Sequence, residues 1–414
     1  MTPVVYVHVG APKSGTTYLQ NVMWHNRDAL AGQGILYPGD DFSSHVWAAF
    51  DLRGAFFDGA RIPETAGAWH RMVEEIRSRD GGAAVISQEL LASAYPRHVG
   101  RALADLEFAE VHLVYTVRDL ARQIPAHWQE DVKNRAALTF GDFVAGLRDP
   151  DRSRSPWVRE FWRMQDAAAV LERWGTGIPP ERVHVVTLPP SGGPRGLLLE
   201  RFCEVIGADP AGLDTSQAFG NPSLGVAETE LVRRINLATR GSVEWRTHEQ
   251  YVKHDLAQSL LTSRTGAVRI QLPEAYRPWA LERSRELAEA LAKAGYRIIG
   301  DLDDLLPAVS DTPFPSDPDE APETEVLDAA LDAVAHLLGH CAADLREGTR
   351  GASADELRDQ VTRLSAETAH LVSLSSSPVK DVVRSLSERH GLVMRARRLY
   401  WLLAGSRRTD DAEK

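Results

Sequence analysis

The amino-acid sequence predicts an α/β fold: three layers, αβα, built on a central parallel sheet, with a helical C-terminal extension. Three observations predict it. Short runs of β-branched and other apolar residues alternate with helical stretches of ten or more residues, the connection length that parallel pairing demands. The first run passes through a glycine-bracketed turn straight into a helix. Near Leu306 the alternation ends in a proline-rich acidic segment, and only helical patterns follow. The organisation read from this is a main domain over 1–306, a linker over 307–324 and a helical extension over 325–414.

The elements follow in order. Val5, Val7 and Val9 have the β-branched alternation of a central strand. Gly10 and Gly15 bracket a four-residue loop, and Thr16 and Thr17 open a helix over 16–30. Tyr37-Pro38-Gly39-Asp40-Asp41 supplies turn chemistry. A helix over 69–79 is broken by Asp80-Gly81-Gly82 before a short apolar strand, 83–87. Residues 101–108 lead to a strand over 111–117, and 183–188 is another strand, behind Pro179-Pro180. Parallel sheets bind ligands at the carboxyl ends of their strands. The Lys13 loop, the corner from Ser87 to Glu89, and Arg118 all fall there.

Glycine, four residues, glycine is the frame of a phosphate-binding P-loop, with one change. Thr16 stands where a lysine belongs, and Lys13 lies inside the loop instead. Backbone amides and the helix N-terminus can still cradle an anion, with the hydroxyls of Ser14, Thr16 and Thr17 as further donors. Pro12-Lys13-Ser14-Gly15-Thr16-Thr17 resembles the 5′-phosphosulfate loop of the sulfotransferases that use 3′-phosphoadenosine 5′-phosphosulfate. The likeness spans residues 4–305 and implies a P-loop-like fold with that nucleotide as co-substrate. It implies transfer of a sulfuryl group to a hydroxyl or amine of a carbohydrate, lipid or small-metabolite acceptor. Pro12, Lys13, Ser14, Gly15, Thr16 and Thr17 would then hold the 5′ end of the donor.

A second segment, Val114-Tyr115-Thr116-Val117-Arg118, ends a strand on a guanidinium suited to bidentate grip of a second phosphate. It resembles the 3′-phosphate motif of the same family, in which a serine stands eight positions on. That position is Ala126 here, so the serine's role is unassigned, and Gln123 or His127 is the candidate substitute donor. Trp128 reads as core. Asn221-Pro222-Ser223-Leu224-Gly225 is similar to a region of bacterial members, and Asn221 and Ser223 are expected to cap the helix that follows. Gly300-Asp301-Leu302-Asp303-Asp304 reads as a helix start, because it lacks the spacing of a calcium loop.

Sulfuryl transfer resembles phosphoryl transfer: a loose, in-line transition state with charge building on the bridging oxygen of the leaving phosphate. A lysine inside the loop can meet that charge. A single phosphosulfate has no triphosphate tail to neutralise, so no metal is expected. The acceptor must lose a proton to a general base. Glu89 follows the strand after which the cytosolic branch of the family is similar in placing a histidine. His45, read as lying in the loop after the first helix, is similar in position to the glutamate of the heparan-type branch. Both stay open as the base. A P-loop kinase and a degenerate nucleotide-binding or scaffold protein are the alternative functions.

Composition bounds the rest. The 414 residues are 43% hydrophobic, enough for one large domain and something smaller. A net charge of −11 argues against wholesale nucleic-acid binding. Cys203 and Cys341 are too few for a disulfide framework and read as small buried hydrophobes. No apolar run is long enough to span a bilayer, and no leader-like pattern precedes the first strand, so a cytoplasmic location is expected. The tail shows helical stretches over 325–345, 354–374 and 379–404. In the second, Leu357, Val361, Leu364 and Leu371 keep near a heptad that Thr368 interrupts, which fits a helical hairpin that caps the main domain or pairs two subunits as a homodimer. Residues 379–408 carry eight basic side chains against Asp381 and Glu388, with Tyr400 and Trp401. Such a helix can touch an anionic inner membrane face, which would favour a glycolipid acceptor, or clasp the acidic main domain.

Overall fold

The computed structural model describes residues 2–54, 63–149, 155–194, 196–217, 223–307 and 317–348. Six strands form one sheet: β1 (Val4–His8), β2 (Ile35–Leu36), β3 (Ala83–Ser87), β4 (Glu110–Val117), β5 (Val183–Thr187) and β6 (Arg297–Ile299). They are all parallel, in the order β2-β3-β1-β4-β5-β6. The fold is therefore α/β with a central parallel sheet, as the alternation of elements predicts.

The pleat sends alternate residues to opposite faces, and each face has its own core. Val5, Val7, Leu113, Tyr115, Val183 and Val185 face one core with helices α3 (Ser44–Arg53), α4 (Ala68–Arg77), α5 (Pro96–Asp105), α8 (Pro156–Gln165) and α9 (Ala167–Trp174). Val85, Val114 and Val186 face the other, with α1 (Thr16–His25), α2 (Arg27–Gly32) and α10 (Leu197–Ile206). Cys203 lies in this second core, where burial raises its thiol to about 12. The predicted helix over 16–30 is two helices. Asn26 breaks it, because its amide bonds both Val22 O and Asp214 O at 2.8 Å.

Chain order reverses between β1 and β4: β1 connects outward to β2, and β3 connects back across β1 to β4. A crevice opens at such a switch point, outside the carboxyl ends of the strands. The remaining helices are α6 (Leu120–Lys133), which starts just past the carboxyl end of β4, α7 (Phe140–Arg148), α11 (Val226–Ala238), the short α12 (Trp245–Thr247), a wide π-type helix His248–Leu260 and α13 (Arg277–Lys293), whose Leu291 joins the first core. Trp128 of α6 is core, as expected, with its indole N–H on Leu138 O.

Three expectations change. The N-cap of α11 is Gly225, with no side-chain cap; Ser223 lines a cavity instead, and Asn221 lies outside the described residues. Gly225 N-caps because its extended backbone brings Val226 N to Val268 O at 2.9 Å. The acidic segment is not simply solvated at its described end: Pro318 is buried, and the Asp319 carboxylate accepts the Phe140 and Gly141 amides at the start of α7, both at 2.7 Å. His45 lies in α3 rather than in a loop.

The chain divides into two units, Met1–Glu323 and Thr324–Lys414. α14 (Glu323–Gly348) lies in the second from Thr324 on and exposes Leu327, Val334, Leu337 and Leu338. The stretches read as helices over 354–374 and 379–404, with the basic run to 408, lie outside the described residues. No described helix is long and apolar enough to cross a membrane.

Candidate functional site

The loop after β1 is built on the edge of β4. Val9 N bonds Val114 O at 3.0 Å and Ala11 N bonds Thr116 O at 2.8 Å, so the chain stays paired beyond the strand. It then turns: Ser14 N reaches back to Ala11 O at 3.3 Å, with Pro12 second and Lys13 third in the turn. Lys13 has φ 63°, the left-handed region that a type II turn asks of glycine at this place. A lysine there is strained, and strain of this kind gathers at functional positions. Gly15 has φ 84°, and a Cβ on it would lie 2.4 Å from Leu198 Cδ2, so a glycine is required. α1 starts at Thr16 with no side-chain cap. Its first amides therefore remain for an anion at the helix N-terminus.

Beneath the loop a polar row crosses three strands. His8 pairs with Ser87 Oγ at 2.8 Å and Thr116 Oγ1 at 3.3 Å, and burial lowers its pKa to about 3, so the ring is neutral. The Ser14 hydroxyl is turned toward this row: it donates to Ala11 O at 2.5 Å and lies 2.5 Å from Thr116 Oγ1. Ser14 was expected to offer that hydroxyl to a ligand; in this geometry it braces the turn. Thr16 is buried and Thr17 half-buried at the helix start.

Pro12's carbonyl is held by two amides, from Gln123 and, at 3.0 Å, from Gln165. Gln123, a candidate ligand donor, gives one of its two amide N–H groups to this brace, while its Oε1 is buried with no partner among the described residues. His127, the other substitute for the missing serine, is buried against Phe161 with its Nδ1 on Gln165. Burial, then the Lys13 charge, lower it to about 3. The Lys13 carbonyl accepts Arg118 Nη1 at 3.0 Å. Its ammonium meets Glu130 Oε2 at 2.5 Å, with Lys133 and Lys253 each 3.6 Å from the same carboxylate. Burial raises the Glu130 carboxyl, but the three ammoniums, Lys13 first, more than reverse this and hold it well below the usual carboxylate range. Neither Glu130 nor His8 was singled out from sequence. The one available signal was a charged or polar residue recurring on the inward face of an otherwise apolar element.

Beside Arg118 opens a cavity of about 410 Å³, lined by Arg118, Arg122, Arg269 and Arg277 and by Gln129, Ser191 and Ser223. Two carboxylates share its wall: Asp119, paired with Arg122, and Asp304, paired with Arg201 at 2.7 Å. Arg118 Nε and Arg122 Nη2 are buried without partners among the described residues. Burial, then Arg122, lower Arg118 to about 10, Asp119 opposing. Unpaired guanidinium N–H groups in a concave, net-positive wall are the makings of an anion site. Ala126 lies in this wall and has no hydroxyl to add.

The two candidate bases meet at the end of β3. Glu89 is half-buried, and its Oε2 accepts Gln20 Nε2 at 2.9 Å. Gln88, not Glu89, caps the short turn Glu89–Ser93. A Cβ on Gly10 would lie 3.6 Å from the Glu89 carbonyl, so this corner and the loop are neighbours. His45 is buried, stacked on Tyr37 with ring centroids 4.3 Å apart. Its Nδ1 accepts Ser87 N–H at 3.2 Å, and burial lowers it to about 4. The lone pair of the neutral ring is thus already engaged, whereas the Glu89 carboxylate stays partly open. Among the described residues, no group of three or more His, Cys, Asp or Glu converges as metal ligands do.

Among solved structures, the chain is similar to the crystal structure of a sulfotransferase from Alicyclobacillus acidocaldarius, at 18% identity and a TM-score of 0.35, over 59% of this chain and 99% of that one. No family model matches the chain. No curated protein matches it either.

Proposed function

We propose that the chain is a sulfotransferase that moves a sulfuryl group from 3′-phosphoadenosine 5′-phosphosulfate to a hydroxyl or amine. The observation that carries this reading is the joint between the two motifs. Arg118 holds the backbone of Lys13, whose strained turn leads into an uncapped helix start, and Arg118 itself lines the four-arginine cavity. A nucleotide with phosphate at both its 5′ and 3′ positions suits two such anion sites a short distance apart. The loop amides and the α1 N-terminus would take the 5′-phosphosulfate, and Arg118 with its neighbours the 3′-phosphate.

In the transfer, the acceptor oxygen forms a bond to sulfur as the bond from sulfur to the bridging phosphate oxygen breaks. Lys13 offsets the charge that develops on that oxygen. The acceptor proton passes to Glu89, chosen over His45 because its carboxylate is the partly open one. Adenosine 3′,5′-bisphosphate and a sulfated acceptor leave. The proposal sets the enzyme in the cytoplasm, with the basic stretch 379–408 as its contact with an anionic membrane.

Calorimetry tests the reading with adenosine 3′,5′-bisphosphate, adenosine 5′-phosphate and ATP. The bisphosphate should bind more tightly than the monophosphate, and Arg118→Ala should erase that preference. Tighter binding of ATP, with phosphate transfer, would instead make the chain a kinase. No binding of any nucleotide would leave a scaffold.

A further inference from the structure

The Lys13 ammonium belongs to a cluster in which, among the described residues, ammoniums outnumber carboxylates. Lys13, Lys133 and Lys253 surround one carboxylate, Glu130, at 2.5, 3.6 and 3.6 Å. Asp131, the neighbouring acid, lies against His127, with Oδ1 3.6 Å from Nε2, and burial, then Glu130, raise its carboxyl well above the usual carboxylate range. Lys253 finds a neutral partner, Asn134 Oδ1, at 2.8 Å. Lys133, its side chain 6% exposed, has the same carboxylate, 3.6 Å away, as its ion-pair partner. One carboxylate shared by three ammoniums leaves surplus positive charge, which is costly in a part-buried site.

We infer that Lys133 and Lys253, with Lys13, form an anion site for the acceptor, which is therefore a molecule carrying a carboxylate or phosphate beside the group that is sulfated. This rests on the sulfotransferase reading for the role of Lys13, and it adds the substrate class. The arginine cavity and the loop amides suffice for the two ends of the donor. Lys133 and Lys253 lie apart from both, on the last turn of α6 and on the wide helix. They crowd the outward end of Lys13, where the sulfuryl group would be handed over. An anionic group there would accept hydrogen bonds from Lys133 and Lys253 and offset the surplus charge. It would also anchor the acceptor, while Glu89 takes the proton and the sulfur changes oxygen partners.

The test uses the full chain saturated with adenosine 3′,5′-bisphosphate, titrated by calorimetry with matched sugars: methyl glucuronide against methyl glucoside, and glucose 6-phosphate against glucose. Vesicles of phosphatidylinositol supply the same chemistry from a lipid. With radiolabelled donor, the same compounds are compared as acceptors by kcat/KM. At least one acidic member should bind and react about tenfold better than its neutral parent. Lys253→Gln, and separately Lys133→Gln, should remove that preference while bisphosphate affinity stays unchanged. Lys253 is the safer variant, being the less buried of the two. Sugars alone, or vesicles alone, identify the source of the anion and support the site equally. Equal binding of acidic and neutral members, or a preference that survives both substitutions, overturns the inference. Loss of bisphosphate affinity in the variants overturns it too, since the cluster would then belong to the donor. If wild type fails to bind the bisphosphate but still prefers acidic sugars through Lys253, the sulfotransferase reading falls and the anion site stands.

Discussion

Lys13 joins three demands in one residue. Its backbone takes a left-handed conformation, its carbonyl anchors Arg118, and its ammonium pairs with Glu130. Lys13→Ala keeps the first two and removes the third. Turnover should fall by a few hundredfold or more, about 3 kcal/mol of electrostatic stabilisation, with the circular dichroism spectrum unchanged. Wild-type turnover in that variant would sink the mechanism. The candidate bases separate in the same way. Glu89→Gln should bind donor normally and lose about a hundredfold in rate. His45→Ala should lower the melting temperature instead, because the ring fills a buried stack on Tyr37 and accepts the Ser87 amide. A full loss of turnover in His45→Ala, with stability intact, would reverse the assignment.

At the scale of elements, the decisive piece is the start of α1. An uncapped helix N-terminus is useful only if the loop before it can turn sharply, and Gly15 makes that turn. Gly15→Ala should destabilise the protein by about 1 kcal/mol from its positive φ alone. The contact with Leu198 Cδ2 must be relieved as well, which a rotation of that side chain achieves. A lower melting temperature together with loss of bisphosphate binding is expected. Unchanged binding would mean that α1 does not hold the phosphate. α6 is the second key element. Its first turns line the arginine cavity, and its later turns carry Glu130 and Lys133, so one helix links both ends of the site.

For the whole molecule, the buried imidazoles set the response to acid. His8, His45 and His127 are lowered to about 3, 4 and 3, chiefly by burial. Their folded values lie below the unfolded value near ~6.5, so the unfolded chain binds the extra protons. The stability they support is fully present above that value and lost as pH falls from there toward about 3. Each contributes a slope of up to about 1.4 kcal/mol per pH unit. Chemical denaturation at a series of pH values should show a plateau above neutrality and a steep fall below it, and His127→Gln should flatten the fall. Asp131 works in the opposite sense. Its folded pKa is raised, so stability declines as pH rises past the ordinary carboxylate value. Asp131→Asn should therefore stabilise the protein at neutral pH and make no difference near pH 3.

The amino-acid sequence by itself determined the α/β class, the four longer strands, and the clustering of the Lys13 loop, Glu89 corner and Arg118 at strand carboxyl ends. These follow from local signals: β-branched alternation, glycine spacing, and the length of the connections. The short edge strands β2 and β6, with two and three residues, carry too little periodicity to be read, and exist because a neighbour pairs with them. Tertiary structure alone decided which polar groups are free. Ser14 and Gln123 look like ligand donors in the sequence, yet partners from β4 and the loop itself engage the Ser14 hydroxyl and one Gln123 N–H. His45 and Glu89 both stood as candidates, Glu89 ahead, and packing engaged the histidine's lone pair and left the carboxylate partly open. Arg269, Arg277, Lys133 and Lys253 join the site from segments over a hundred residues beyond the loop. A long-range meeting of like charges leaves no mark on local spacing, because the energy that permits it comes from the whole fold.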